Sequence, residues 1–405
     1  MVEIKDTNRT PPFPNWLLLA ILLAGAFLRC AALGAMEDML HYDEAYNGVD
    51  ALSLLQYPRL TPFLPGNYGR ESGWCYILTL FIALFGVRPF SLRLAAALVS
   101  VLTLVASYAL GKELFGRRGA TLTAAALAVL YWSVHLSHLA LRANLLPLVG
   151  TLAFAALLHA QRTNALRWWV IGGLCTGLLG YTYYSAYFWI LYAFVLLAWW
   201  AVGDREKRRG AGLALLIAML VLLPMGSYAL SHREVLARPG MVGVFGPREV
   251  WNNMLLWARA WFQQGDPNAE FNLPGRPILD LWLGILFLLG LASLPSVTRR
   301  RWHGLWVVGL ALCAVLPSLL SDQVPHFLRA VGLTIPIALT TGAGAGAVER
   351  VTRRLAGRAV AALLPLALLT MSGIATYRDF YGRWLNHPEV FIFMEKHIYL
   401  SLIHI

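Results

Sequence analysis

Residues 203–210 read Gly-Asp-Arg-Glu-Lys-Arg-Arg-Gly, and residues 211–230 continue Ala-Gly-Leu-Ala-Leu-Leu-Ile-Ala-Met-Leu-Val-Leu-Leu-Pro-Met-Gly-Ser-Tyr-Ala-Leu. The second stretch carries no charge and has the ~20 residues a helix needs to cross the hydrocarbon core of a bilayer. The first is rich in Lys and Arg, as short loops on the cytoplasmic side are. The same alternation recurs along the chain. Apolar runs at 16–35, 89–111, 119–137, 141–160, 168–183, 184–202, 211–230, 278–297, 304–320, 329–348 and 359–376 predict about eleven crossings and an all-α polytopic membrane protein. Composition agrees, with 58% of the 405 residues hydrophobic and 13% charged, against ~25% charged in a soluble domain. The first run has no small-residue cleavage site and outlasts a signal-peptide core, so it reads as a retained span.

Charge gives the runs a direction. Segments 1–15, 112–118, 161–167, 203–210, 298–303 and 349–358 hold 18 of the 33 basic residues and 6 of the 21 acidic ones. They are expected inside, which places the N-terminus in the cytoplasm and the C-terminus outside. The net charge of +12 thus sits largely in inter-span loops, and no nucleic-acid partner is expected. The alternation holds only if 36–111 crosses once. The ~15-residue stretch 73–87 therefore reads as a helix on the outer surface, not a span. The four cysteines show no metal or redox spacing and read as buried hydrophobes, with an outer Cys30–Cys75 bridge as the alternative. Gly342-Ala343-Gly344-Ala345-Gly346 lies within an apolar run and reads as close helix packing, not a nucleotide loop.

Two outer loops are long, 36–73 and 231–277. The first carries His41-Tyr42-Asp43-Glu44-Ala45-Tyr46-Asn47-Gly48-Val49-Asp50. As a helix it would put Asp43, Asn47 and Asp50 on one face and Ala45, Val49 and Leu52 on another, suited to lying in the interface. Asp43 and Glu44 are candidate bases there; the alternative is that Asp43 caps the helix and Glu44 favours its dipole. Arg70, Arg142, His326 and Arg329 all fall at predicted outer ends, as do His135 and His138. Arginines beside a carboxylate can hold a lipid phosphate, or else snorkel to headgroups. The run 181–189, Tyr-Thr-Tyr-Tyr-Ser-Ala-Tyr-Phe-Trp, reads either as an interfacial girdle or as a sugar-lining surface.

The series Asp43-Glu44-Ala45, Pro89-Phe90-Ser91-Leu92-Arg93-Leu94-Ala95-Ala96-Ala97, His138-Leu139-Ala140-Leu141-Arg142 and Gly180-Tyr181-Thr182-Tyr183 resembles the protein O-mannosyltransferase and lipid A aminoarabinose transferase superfamily. These are membrane glycosyltransferases of the GT-C fold. Gly265-Asp266-Pro267-Asn268, Asn272-Leu273-Pro274-Gly275-Arg276-Pro277 and Pro325-His326-Phe327-Leu328-Arg329-Ala330 are similar to its bacterial family 39 branch. The resemblance implies a polyprenyl-phosphate sugar as donor, a lipid, polysaccharide or protein hydroxyl as acceptor, and transfer with inversion outside a bacterial cell membrane. It implies Asp43, with Glu44 beside it, as catalytic base. Arg70, Arg142, His326 and Arg329 would hold the lipid phosphate, and Tyr46, Glu71 and Tyr183 the sugar or acceptor. The leaving group is already a phosphate, so no cofactor is required, and a divalent metal stays open. The chain departs from the relatives in two places. Arg70-Glu71-Ser72 stands where aminoarabinose transferases carry Glu-Lys-Pro, and Leu141-Arg142 stands where mannosyltransferases carry Leu-Asp.

The alternative reading is a transporter or lipid-linked sugar flippase, for which neither an inverted repeat nor a mid-span acid is evident. The expected organisation is a membrane module over 1–376, with 36–88 as the catalytic loop and 231–277 as the second outer loop. The start of an outer region would follow at 377–405. Residues 400–405, Leu-Ser-Leu-Ile-His-Ile, look like a translated sequencing adaptor, so the natural chain is expected to continue past about residue 399.

Overall fold

The computed structural model of the protein describes residues 12–35, 40–66, 69–232, 243, 246–298 and 301–395. The adaptor-like residues 400–405 lie outside the described residues, as do 36–39 of the first outer loop and most of 233–245 in the second. The chain order begins α1 (Asn15–Cys30), a short strand β1 (Leu40–His41), α2 (Tyr42–Gln56), β2 (Phe63–Leu64), β3 (Arg70–Glu71), α3 (Gly73–Phe85) and α4 (Pro89–Val129). Helices continue to the end of the described chain, and the two small sheets are antiparallel pairs, β2 with β3 and β1 with Met394–Glu395.

Each predicted apolar run lies on helix. Five helical segments are long and apolar enough to span a bilayer among the described residues: Pro89–Val129, Arg142–Thr163, Ala186–Gly203, Arg208–Ser231 and Val331–Gly357. The protein is a multi-pass membrane protein. The figure of eleven crossings is not established by helix length. α1, at 16 residues, reaches only ~24 Å against a ~30 Å core. α3 has 13 residues and is ~20 Å long, too short to cross, as the sequence reading of a surface helix requires.

α4 contains two of the predicted spans. They meet at Gly116, whose φ of 83° is a conformation that only glycine adopts without strain. Beyond it the chain doubles back, and Gly111 lies against Ala120 and Thr123. The Gly342–Gly346 stretch packs closely as expected. A β-carbon at Gly342 would strike Thr123 of α4, and one at Gly344 would strike the Leu286 carbonyl of the helix Leu281–Val297.

Ion pairs segregate the loops into two ends. At one end Glu113 pairs with Arg162 at 2.8 Å, Arg118 pairs with Glu349, and Asn164 donates to the Glu206 carbonyl. These residues come from the four basic segments 112–118, 161–167, 203–210 and 349–358. Arg70, Glu71, Arg142, Asp266 and Arg329 gather at the other.

Packing bears on the cysteines and on residues 377–395. All four cysteines are free thiols, so there is no Cys30–Cys75 bridge. Residues beyond 376 pack onto the helices that precede them. Phe380 and Trp384 are fully buried, the Tyr381 hydroxyl donates to the Leu28 carbonyl at 2.9 Å, and Met394 pairs with His41 across the small sheet. Arg29, unremarked in the sequence, is fully buried in α1. It donates to the Leu127 and Ala128 carbonyls at 2.9 and 3.0 Å, satisfying acceptors at the C-terminal end of α4 that no helical N–H reaches.

Candidate active site

α2 starts with a capping box built on an unexpected residue. His41, not Asp43, is the N-cap. Its Nδ1 accepts the Asp43 N–H at 3.1 Å, and the Glu44 carboxylate accepts the His41 N–H at 3.1 Å. The His41 Nε2 edge faces Glu270 of the second outer loop at 3.4 Å. Burial lowers the pKa of His41, but the hydrogen bond and charge of Glu270, with Asp43 and Glu44 behind it, outweigh burial and raise it.

Glu44 is withdrawn from any substrate. Its side chain is fully buried and takes a two-point salt bridge from Arg93, Nε to Oε1 at 3.1 Å and Nη2 to Oε2 at 3.0 Å. Oε1 also accepts the Ala140 N–H at 2.7 Å. Burial pushes this carboxyl up, and Arg93 then overrides it, leaving the pKa below the usual range. The expectation that Glu44 shares catalysis with Asp43 is therefore corrected: every lone pair facing a partner is spent on structure. The helix-face expectation changes with it. α2 buries Glu44, Ala45, Asn47, Ala51 and Leu54, while Val49 is exposed. A polar side packs inward because each polar group finds a partner.

The Ala140 peptide is clamped on both sides. Its N–H goes to Glu44, and its carbonyl accepts Asn47 Nδ2 at 3.1 Å and Trp74 Nε1 at 2.9 Å. α2 and α3 thereby fix the segment that delivers Arg142. Arg142 donates to the Gly69 carbonyl at 3.2 Å, pairs with Glu71 at 3.3 Å and lies 5.3 Å over the Tyr183 ring. Arg70 donates to Asn47 Oδ1 at 3.2 Å and pairs with Asp50. Arg329 pairs with Asp322 at 3.0 Å, and its carbonyl is held by Ser185 Oγ at 2.8 Å.

These groups converge. A cavity of about 310 Å³ is lined by Asp43, Asn47, Arg70, Arg142, Tyr183, Tyr184, Phe271, His326 and Arg329, with Tyr42, Leu141, Ala143 and Leu328. Six of the nine sequence candidates share its wall. Glu71 stands behind Arg142 as its partner. Tyr46 lies off the wall, tilted against Tyr42 at 4.6 Å and under the Arg70 guanidinium at 5.4 Å. The carboxylates Asp50, Glu71 and Asp322 orient the three arginines without being in the lining.

His326 lies on the cavity wall as expected, but as an uncharged ring. Burial, with the Arg329 charge behind it, drops its pKa to about 3, so it is neutral and cannot act as a cation toward phosphate. Its ring stacks on Phe271 with centroids 5.0 Å apart. Its Nδ1 and the Nε of Arg70 are buried with no hydrogen-bond partner among the described residues. His135 and His138 are absent from the lining: they pack on Trp384 and Phe380 at 4.4 and 4.2 Å.

The second outer loop holds the far wall. Asp266 accepts the Phe327 N–H at 2.8 Å and the Asn268 N–H at 2.9 Å, and Asn272 Nδ2 ties the Asp266 and Arg276 carbonyls together. Burial raises the Asp266 pKa to about 6. Sequence reading missed Arg93, Asn47, Phe271 and Asp266 as parts of the site, although Arg93 and Asp266 stand within motifs quoted for the resemblance. Among the described residues, no three His, Cys, Asp or Glu side chains are grouped to hold a metal ion.

Known proteins share this architecture. The ArnT structure from Cupriavidus metallidurans bound to undecaprenyl phosphate superposes with a TM-score of 0.61 at 16% identity, covering 96% of this chain and 76% of that one. The oligosaccharyltransferase of Archaeoglobus fulgidus, in complex with Zn and sulfate, gives 0.60 at 15% identity over 89% of this chain and 52% of that one. This chain has the GT-C fold. The family described as dolichyl-phosphate-mannose-protein mannosyltransferase matches residues 73–228 of this GT-C chain. The undecaprenyl phosphate-alpha-4-amino-4-deoxy-L-arabinose arabinosyl transferase of Pseudomonas aeruginosa is 28% identical over 318 residues, 74% of this chain and 54% of that protein. The counterpart from Pseudomonas paraeruginosa matches to the same extent. The GT-C chain thus spans about half the length of these relatives. Together these matches support the superfamily that its motifs resemble.

Proposed function

We propose that the protein is an inverting glycosyltransferase that moves a sugar from a polyprenyl-phosphate donor to a hydroxyl acceptor. One observation carries this reading: a single cavity is lined by one carboxylate, Asp43, and three guanidinium groups, Arg70, Arg142 and Arg329. The acceptor oxygen attacks the anomeric carbon as its proton passes to Asp43. The bond from that carbon to the phosphate oxygen breaks, and the electron pair leaves with the polyprenyl phosphate. Developing charge on the phosphate is met by arginines already held in place by Asp50, Glu71 and Asp322, so little reorganisation is needed during the reaction. The orphaned Arg70 Nε would find a phosphate oxygen and the neutral His326 a sugar hydroxyl; an unmet buried polar group costs ~1–3 kcal/mol. Tyr183 and Tyr184 offer aromatic faces to the sugar. The cavity's charges favour group transfer over the alternative of lipid flipping.

In this reading the cavity end is extracytoplasmic, because the opposite end collects the basic loops, and a phosphate leaving group makes a metal unnecessary. The acceptor is a lipid, polysaccharide or protein hydroxyl in the cell envelope, and residues 36–88 and 231–277 are the catalytic loops. The test is transfer from polyprenyl-phosphate sugars in proteoliposomes. Asp43→Asn is expected to lower turnover ~10²–10⁴-fold in a folded protein; unchanged turnover refutes the assignment.

A further inference from the structure

A second and larger cavity shares no lining residue with the first. Its volume is about 640 Å³, within the ~300–1,000 Å³ of small-molecule sites. It lies where the loop ending at Pro277 enters the helix Leu281–Val297, and its two walls differ in chemistry. One is apolar: Leu281, Gly284, Ile285 and Leu288 line it at spacings that place them on one helix face. Three of them are exposed, Leu281 at 67%, Ile285 at 39% and Leu288 at 52%.

The other wall carries Arg276, Asp379 and Arg383, and Arg378, outside the lining, joins them through Asp379. Asp379 accepts Arg276 Nε on Oδ2 at 2.9 Å, and Arg378 Nη2 and Arg383 Nη1 on Oδ1 at 2.9 and 3.2 Å. Asp280 spends Oδ1 on the Trp282 and Leu283 N–H groups and Oδ2 on the Ser372 hydroxyl. Three guanidiniums thus face two carboxylates whose oxygens are all engaged, which leaves one positive charge in excess. The side chains of Arg378 and Arg383 are 66% and 58% exposed, with N–H donors to spare.

We propose that this groove binds one monoanionic glycerophospholipid. Its phosphodiester matches the single excess charge of this cluster, met by Arg383 on the wall with Arg378 beside it through Asp379, and an acyl chain lies along the Leu281–Leu288 face. The helix enters the apolar layer at Asp280, so the arginines stand at headgroup depth while the leucines stand at acyl depth. This site is independent of the transferase reading.

The test is native mass spectrometry of the purified full chain titrated with palmitoyl-oleoyl phosphatidylglycerol or the matching phosphatidylcholine. One phosphatidylglycerol is expected to be retained in preference to phosphatidylcholine. Arg378→Gln with Arg383→Gln should lower that preference about fivefold per arginine, and Arg383→Lys should largely keep it. Leu288→Trp, which fills the groove, should displace both lipids. Asp43→Asn should lower transfer but leave lipid retention unchanged, which separates the two proposals. Equal retention of the two lipids by the unsubstituted chain would overturn the proposal. So would phosphatidylglycerol binding that ignores both the arginine and the Leu288 substitutions.

Discussion

Two ion-paired regions flank the first turn of α2, and they differ in what is left over. On the inner side, Glu44 and Arg93 close on each other with neither side chain exposed. The His41 and Ala140 N–H groups take up the remaining carboxylate capacity. On the cavity side, Arg70, Arg142 and Arg329 are each steadied by one carboxylate yet keep an edge toward the cavity that Asp43 shares. A saturated pair can only hold structure. A pair with donors to spare can hold structure and still meet a substrate. Position in sequence does not distinguish the two, since Asp43 and Glu44 are neighbours.

The strongest test of this contrast compares the two adjacent carboxylates. Asp43→Asn should cost ~10²–10⁴-fold in transfer rate with stability within ~0.5 kcal/mol, read by proteoliposome turnover and thermal unfolding. Glu44→Ala should act the other way, removing ~3–5 kcal/mol of stability by stranding Arg93. Adding Arg93→Met should recover much of that loss in the same unfolding assay. If Glu44→Ala left stability intact and lost only turnover, the two carboxylates would have to exchange roles.

Smaller effects sharpen the cavity side. Arg142→Gln should lower turnover ~10²–10³-fold and also lower the unfolding midpoint, because its partner Glu71, with a side chain only 5% exposed, would be left buried without its counter-charge. His41→Ala should cost ~0.5–2 kcal/mol as a lost cap, and His41→Asn, which can still accept the Asp43 N–H, should restore most of it. The weakest effect is one of pH. Asp266 has a folded pKa of about 6, above its unfolded value of ~3.9. The native state therefore binds the proton more tightly, and stability falls as pH rises from about 4 through about 6. Asp266→Asn should remove that slope from a pH series of unfolding midpoints.

The site was partly legible before folding. Arg70, Arg142 and Arg329 were visible because arginines are scarce beside apolar runs and because charge counting put all three at one end. His326 was found for its place beside Arg329, but its neutrality comes from burial, which no sequence pattern displays. Glu44 was misassigned because its partner Arg93 is 49 residues away and its third donor, Ala140, is 96 away. Asn47 was placed on the Asp43 face but given no role, and Phe271 carried no local signal until α2 and the second outer loop meet.

Span length, loop charge and close-packing glycines are local properties. Transfer of apolar residues into a bilayer adds up along a run, so the sequence alone determined a multi-pass helical protein with its charges sorted to two ends. Which face of α2 turns inward, which of two adjacent carboxylates keeps access to the cavity, and how the arginines are held are set by contacts between distant segments. Those depend on helix rotation and on the burial of each partner, and only the tertiary structure decided them.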